Sequence, residues 1–214
     1  MEERMVKFYA KESSKLALHA VPGHFSTSHS HINYYIDVTT MKTRVNEAKE
    51  VAKVLASKTY DATAYVDTIV CMDGTEVIGG FLAEQYQQMH VLSINQHQTI
   101  YVVSPEVNSN NQMIFRDNTK HMIKGKHVVL LLDTTTTGET IRRSMECIRY
   151  YGGTVQAVTS IFSTVSEVEG NKIVSIFDGE DVPNYQAYSQ NTCPYCAKGE
   201  KLEAMVNGYG YSKL

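Results

Sequence analysis

One stretch, HVVLLLDTTTTGETIRR from His127 to Arg143, concentrates side chains able to do chemistry. An apolar run ends in Asp133, and four threonines and a glycine then lead into a helix start. A loop entering a helix N-terminus leaves backbone N–H groups without intrahelical partners, and these point at any ligand placed there. Gly138 permits tight curvature, and Thr136, Thr137 and Thr140 add hydroxyl donors. This combination suits a phosphate monoester, to which the helix dipole contributes about 0.3–1 kcal/mol. The competing reading is a threonine-rich turn that caps the helix, with Thr137 as N-cap. The spacing and lysine of the Walker loop are absent, and so is G-x-G-x-x-G.

Two other groups have ligand chemistry. His24, His29 and His31 lie close together, and in an extended segment His29 and His31 share a face, half of a metal site. Cys193-Pro-Tyr-Cys196, followed by Ala-Lys-Gly, resembles a zinc-ribbon knuckle. Structural zinc takes four ligands, so another subunit or a distant histidine has to complete the set. A redox pair and plain reduced thiols are the alternatives.

The elements that position these groups follow from periodicity. Val45, Ala48, Ala52 and Leu55 mark a helix in TRVNEAKEVAKVLASK, with Thr43 as its cap. The short apolar run Asp67–Met72 reads as a buried parallel strand, Thr99–Pro105 as another strand and Lys126–Asp133 as the strongest, and MIFRD, TVQAVTSIFSTV and KIVSIFD add further strands. VIGGFLAEQYQQM reads as a helix, and so does ETIRRSMECIRYYGG, with Ile141, Met145 and Ile148 on one face. Met5–His19 reads as an amphipathic helix, VPGHFSTSHSHINYYIDVTT as extended or a hairpin, and EVNSNNQ as a polar turn. Strands alternating with helices predict a mostly parallel sheet with ligands at its carboxyl end. The loops at that end are Asp73–Glu76 and Thr134–Gly138.

The 214 residues, 43% of them hydrophobic, are enough for one compact domain with a small appendage. A net charge of −3 without a Lys/Arg block argues against nucleic acid or an anionic membrane surface as partner. No apolar run reaches membrane-span length. The charged start lacks a secretory h-region, so the four cysteines are expected as reduced thiols in a cytoplasm.

VVLLLDTTTTGET resembles the phosphoribosyl-pyrophosphate (PRPP) signature of type I phosphoribosyltransferases: an apolar strand, two acids, two small or apolar residues, then T-T-G-x-[ST]. Asp133 falls on the second acid, and Leu132 takes the place of the first. GHFSTSHSHINYYID and DTIVCMDGTEVIGGFLAEQ are similar to segments of the orotate branch. The resemblance implies an α/β fold, a parallel sheet with helices on both faces. It implies a small N-terminal hood (1–40), a core (41–178) and a C-terminal extension (179–214). It makes Asp133 catalytic, orienting the ribose, and assigns the 5′-phosphate to Thr134, Thr135, Thr136, Thr137, Gly138, Glu139 and Thr140. Asp73, Gly74, Thr75 and Glu76 become the pyrophosphate and metal side, and Tyr34 and Tyr35 the base side. It further implies Mg²⁺ with PRPP, a nucleobase such as orotate, and a homodimer. The activity implied is transfer of ribose 5-phosphate from PRPP to the base, releasing pyrophosphate.

The sequence departs from that pattern at several places. The segment matching the family's lysine- and arginine-rich mobile loop, SPEVNSNNQMIFRDNTKHMIKGKH, is dominated by Asn and Ser. Ser28, His29 and Ser30 stand where a base-binding lysine is expected, and IFSTVS replaces an Asp-Arg pair. Transfer from PRPP needs cations to stabilise the departing pyrophosphate, and removing one preorganised group typically costs about 10²–10³ in rate. A PRPP- or nucleotide-binding regulatory protein of the same fold is therefore the second expectation.

Overall fold

The computed structural model describes residues 2–108 and 112–214. Along the chain run β1 (Val6–Tyr9), β2 (Ala17–Ser26), β3 (His31–Asp37), α1 (Thr39–Thr43), α2 (Val45–Thr59), β4 (Thr68–Cys71), α3 (Glu76–Gln88) and β5 (Tyr101–Val103). Then come β6 (Glu106–Val107), β7 (Met113–Ile114), α4 (Asp117–Lys120), β8 (His127–Thr135), α5 (Glu139–Tyr150), β9 (Thr154–Ser163) and β10 (Glu167–Val168). The chain ends with β11 (Asn171–Asp178), β12 (Ala187–Tyr188), α6 (Pro194–Ala197), β13 (Ala204–Asn207) and β14 (Gly210–Lys213). No described helix is long and apolar enough to cross a membrane.

The core sheet has the order β10-β11-β9-β8-β4-β5, parallel throughout except for the β10–β11 pair. Its central strand β8 is apolar on both faces because helices cover both. Alternate residues of a strand point to opposite faces. Val128, Leu130 and Leu132 therefore pack with Ile141, Met145 and Ile148 of α5, whereas Val129 and Leu131 pack with Ala52 and Leu55 of α2 and Ile78 and Leu82 of α3. Each fully buried leucine here contributes about 1.5–3 kcal/mol. The same alternation turns Asp133 toward the α2 side and Leu132 toward α5.

A second sheet stands beside that α2 side, in the order β12-β3-β2-β13-β14, with β1 on β2. The hood thus recruits the C-terminal extension: β13 runs parallel to β2, and β12 pairs antiparallel with β3. Segments 1–40 and 179–214, far apart in sequence, share one sheet.

Several sequence expectations change. Met5–His19 is not a helix. Leu16, Leu18 and Ala20 are buried at a period of two, and Val6–Tyr9 pairs antiparallel with Ala17–Ala20. Thr43 does not cap α2; it closes α1 with its hydroxyl on Thr39 O (2.7 Å), and Arg44 takes the cap position. Val45 is exposed, whereas Ala48, Ala52 and Leu55 are buried as the periodicity predicts. MIFRD supplies only Met113–Ile114 as strand, since Asp117 already starts α4. The proposed turn EVNSNNQ contributes β6 at Glu106–Val107, and its residues 109–111 lie outside the described residues.

Candidate active site

The bend after β8 is open. Thr136 is half-buried and Thr137 exposed. Among the described residues, the amides of Thr136, Thr137, Gly138 and Thr140 donate no backbone hydrogen bond. The carbonyls are better provided for: Thr164 donates its amide to Thr135 O (3.1 Å) and its hydroxyl to Thr136 O (2.7 Å). The bend is thus anchored through its acceptors while its donors stay available. Gly138, not Thr137, caps α5. Its φ of 75° is left-handed, and an added Cβ would lie 2.6 Å from Val168 Cγ2, so only glycine fits without strain.

The cleft above this bend has a volume of about 180 Å³. Its floor is Asp73, Asp133, Thr134 to Thr137, Glu139 and Thr140, and its roof comes from Thr27, Ser28, His29, Ile32, Tyr35 and Ile36. Tyr185 and the tip of the β13–β14 hairpin, Asn207 and Gly208, close it on the C-terminal side. The bend and the Tyr35 side chain predicted from sequence therefore meet in one cavity. Tyr35 is 5% exposed and packs edge-on against Phe25 and Tyr211. Tyr34 does not line the cleft; it faces the other side of β3 and packs on the core.

Of the four residues expected on the pyrophosphate side, only Asp73 lines the cleft. Asp73 (φ 54°) and Gly74 (φ 78°) form a left-handed turn. Thr75 is buried, its hydroxyl on Met72 O (2.8 Å), and Glu76 accepts a bond from Ser104 Oγ (2.7 Å).

The cation behind the two acids of this site was not legible in the sequence. Lys42, from α1, is 5% exposed and places its ammonium 2.8 Å from Asp133 Oδ2 and 2.7 Å from Asp73 O, with Gly208 O as third acceptor. Three donors meet three acceptors, the full capacity of an ammonium. Asp133 also accepts from the Thr134 amide. Burial pushes the Asp133 carboxyl up, while Lys42 and the Thr134 amide oppose it. Burial first, then the charge of Asp133, push Asp73 up to about 7, with Lys42 pulling the other way. A Cβ on Gly208 would stand 2.7 Å from Asp73 Cβ and 2.9 Å from Asp133 Oδ2, so the hairpin tip lies directly against both acids.

The histidines sort differently from the sequence expectation. Residues 27–30 form a tight turn closed by Thr27 N to Ser30 O (2.8 Å), which sets Ser26 opposite His31. His29 is carried away from His31, onto the exposed turn at the cleft mouth. His31 instead meets His24, Nδ1 to Nε2 at 3.2 Å; His24 reaches both Cys193 and Cys196, and His31 reaches Cys196.

A parallel sheet whose central strand ends in this bend, with a hood set over the strand ends, defines the type I phosphoribosyltransferase fold. Solved structures share it at low sequence identity. The orotate phosphoribosyltransferase of Mycobacterium tuberculosis superposes with a TM-score of 0.53 at 16% identity, covering 78% of this chain and 93% of its own; it is also known in complex with PRPP. A phosphoribosyltransferase from Corynebacterium diphtheriae gives 0.51 at 22% identity, over 76% and 90% of the two chains. The adenine phosphoribosyltransferase of Leishmania tarentolae gives 0.51 at 14%, over 70% and 78%. No family model matches the sequence, and no curated protein matches it either.

Proposed function

We propose that the protein binds PRPP in this cleft and transfers its ribose 5-phosphate to a nucleobase, releasing pyrophosphate. Orotate is the base favoured by the sequence resemblance. The observation that carries the reading is the row of amides at Thr136, Thr137, Gly138 and Thr140 with no backbone partner, beside a buried carboxylate. In this reading the 5′-phosphate takes those amides and the hydroxyls of Thr134 to Thr137 and Thr140, with Glu139 at the rim. Asp133 accepts the ribose hydroxyls and faces the positive charge that builds at C1. Holding the sugar at both ends fixes C1 for in-line displacement.

Asp73 and Asp133 are adjacent oxygen donors, the chemistry a hard divalent cation takes, and a cation between them would offset the repulsion that raises Asp73. Mg²⁺ held there would neutralise charge on the departing pyrophosphate. The Gly74 amide serves the same side, the Lys42 ammonium balances the charge of the acids, and Thr75 and Glu76 hold the turn in shape. Tyr35 presents its ring to the base, and Tyr34 stiffens the strand behind it. The working assembly in this reading is a homodimer, which light scattering checks.

The second reading is a PRPP- or nucleotide-binding regulatory protein. The Gly208 carbonyl favours it, because the hairpin tip occupies one of the three Lys42 bonds on the pyrophosphate side. Leu132, buried against α5 where the signature has an acid, favours it too. The full chain incubated with PRPP, Mg²⁺ and a panel of bases separates the two. Pyrophosphate release with at least one base, abolished in Asp133→Asn, supports transfer. PRPP binding by calorimetry with no release for any base leaves the regulatory reading. No binding of PRPP or of nucleoside monophosphates removes both.

A further inference from the structure

His24, His31, Cys193 and Cys196 converge on the hood sheet, and none of the four lines the cleft. Their four ligand atoms all lie within 4.8 Å of one another. We infer that these residues form a structural zinc site that ties the C-terminal extension to the hood.

The spacing is that of a tetrahedron. With Zn–N near 2.0–2.1 Å and Zn–S near 2.3 Å, a tetrahedral site has N···N edges of about 3.4 Å and N···S edges of about 3.6 Å. Here His24 Nε2 and His31 Nδ1 are 3.2 Å apart. His24 Nε2 lies 3.4 Å from Cys193 Sγ and 3.7 Å from Cys196 Sγ, and Cys196 Sγ lies 3.3 Å from His31 Nδ1.

Hydrogen bonding alone does not account for this arrangement. His24 Nδ1 faces the Glu200 carbonyl at 3.1 Å. A carbonyl only accepts, so Nδ1 carries the proton, and in the neutral ring Nε2 presents a lone pair. That lone pair points at three other ligand atoms at once, which is the arrangement a metal-bound histidine has, with its second nitrogen held by a backbone carbonyl.

The surroundings match. Cys193 caps α6 and Cys196 lies within it, and Gly199 follows in the left-handed region (φ 73°), its amide on Cys196 O at 2.9 Å. The Tyr195 ring stacks on His24, centroids 5.2 Å apart, and covers one side. His24, His31 and Cys193 are buried. Cys196 is exposed and leaves the fourth corner at the surface. Two thiolates balance the charge of Zn²⁺, so the three buried ligands hold a neutral cluster. Loading releases the two thiol protons as two Zn–S bonds form.

The consequence for the hood is mechanical. His24 lies on β2 and His31 on β3, and the residues between them include Thr27, Ser28 and His29, which roof the cleft. The metal clamps both ends of that turn to a knuckle from the other end of the chain.

The test uses the untagged full chain, purified with a thiol reductant and no chelator. Elemental analysis should find about one zinc per chain, and a Cys193→Ser/Cys196→Ser variant should lose it. Replacing the metal with Co²⁺ should give the intense visible bands of a tetrahedral, thiolate-ligated ion, which reads the site without requiring any variant to fold. Chelation should speed amide exchange across residues 23–32 and 193–199 while β8 stays protected. A zinc-free protein that gives only the weak spectrum of octahedral Co²⁺, or one isolated with a Cys193–Cys196 disulfide and no metal uptake after reduction, overturns the inference.

Discussion

Lys42, behind the cleft lining, meets the lining residue Asp133 at 2.8 Å, with side chains only 6% and 3% exposed. Neither charge has enough water to be solvated, so each depends on the other. Removing one partner of a buried pair costs about 3–5 kcal/mol, because the survivor stays buried without compensation. Lys42→Met should therefore lower stability in urea by about that amount. Lys42→Met combined with Asp133→Asn should recover a good part of it. If the two losses simply add, the pair is not coupled as the geometry requires.

Asp73 makes the folded protein sensitive to pH. Its carboxyl is held up to about 7, against an ordinary value of 3.8, by burial, by Asp133 and by Glu76, with Lys42 opposing. The folded state thus keeps a proton that the unfolded chain has lost, and stability falls as pH rises between those values. Asp73→Asn should be more stable than the parent at pH 8 and should show a shallower decline from pH 4 to 7. Thermal melts across that range read the difference.

Gly138 tests the bend. Gly138→Ala forces a Cβ into the left-handed region and to within 2.6 Å of Val168, which should destabilise the chain by about 1–3 kcal/mol. Gly138→Ala/Val168→Ala removes the collision but keeps the backbone strain, so it should recover only part of the loss. In the proposed reading both variants also bind PRPP more weakly, measured by calorimetry.

Ligand linkage tests the cleft without mutation. PRPP at 100 times its Kd should add about 2.7 kcal/mol to unfolding. Thr136→Ala and Thr137→Ala should reduce that gain while leaving the unliganded melting temperature nearly unchanged, because the bond the Thr137 hydroxyl accepts from the Glu139 amide is long, at 3.5 Å. An unchanged gain in both variants would place the phosphate elsewhere.

Local order carried much of this protein. The apolar run before Asp133, the threonines after it and the glycine that must turn with positive φ announce strand, bend and helix, because each feature acts within a few residues of itself. The strands at Thr68, Tyr101 and Thr154, and the helix faces of Ile78 and Ile141, are legible for the same reason. Met5–His19 misled because two leucines two apart, set among polar residues, suit a strand as well as a helix until a partner strand is known.

Lys42 shows where such reading stops. Nothing in TTMKTRV distinguishes it from a surface lysine; it is buried because the fold sets α1 within reach of the end of β8, and pairing with Asp133 makes that burial tolerable. His31 finds His24 rather than His29 because the 27–30 turn sets the register. The CxxC meets both histidines because β13 runs beside β2, and the Gly208 carbonyl reaches Lys42 through the same pairing. Periodicity and capping are short-range forces written along the chain. The cation, the partners of the CxxC and the lid over the acids are set by long-range packing, which joins Lys42 to Asp133 across 91 positions and His24 to Cys196 across 172, and the chain around Lys42 carries no local mark of it.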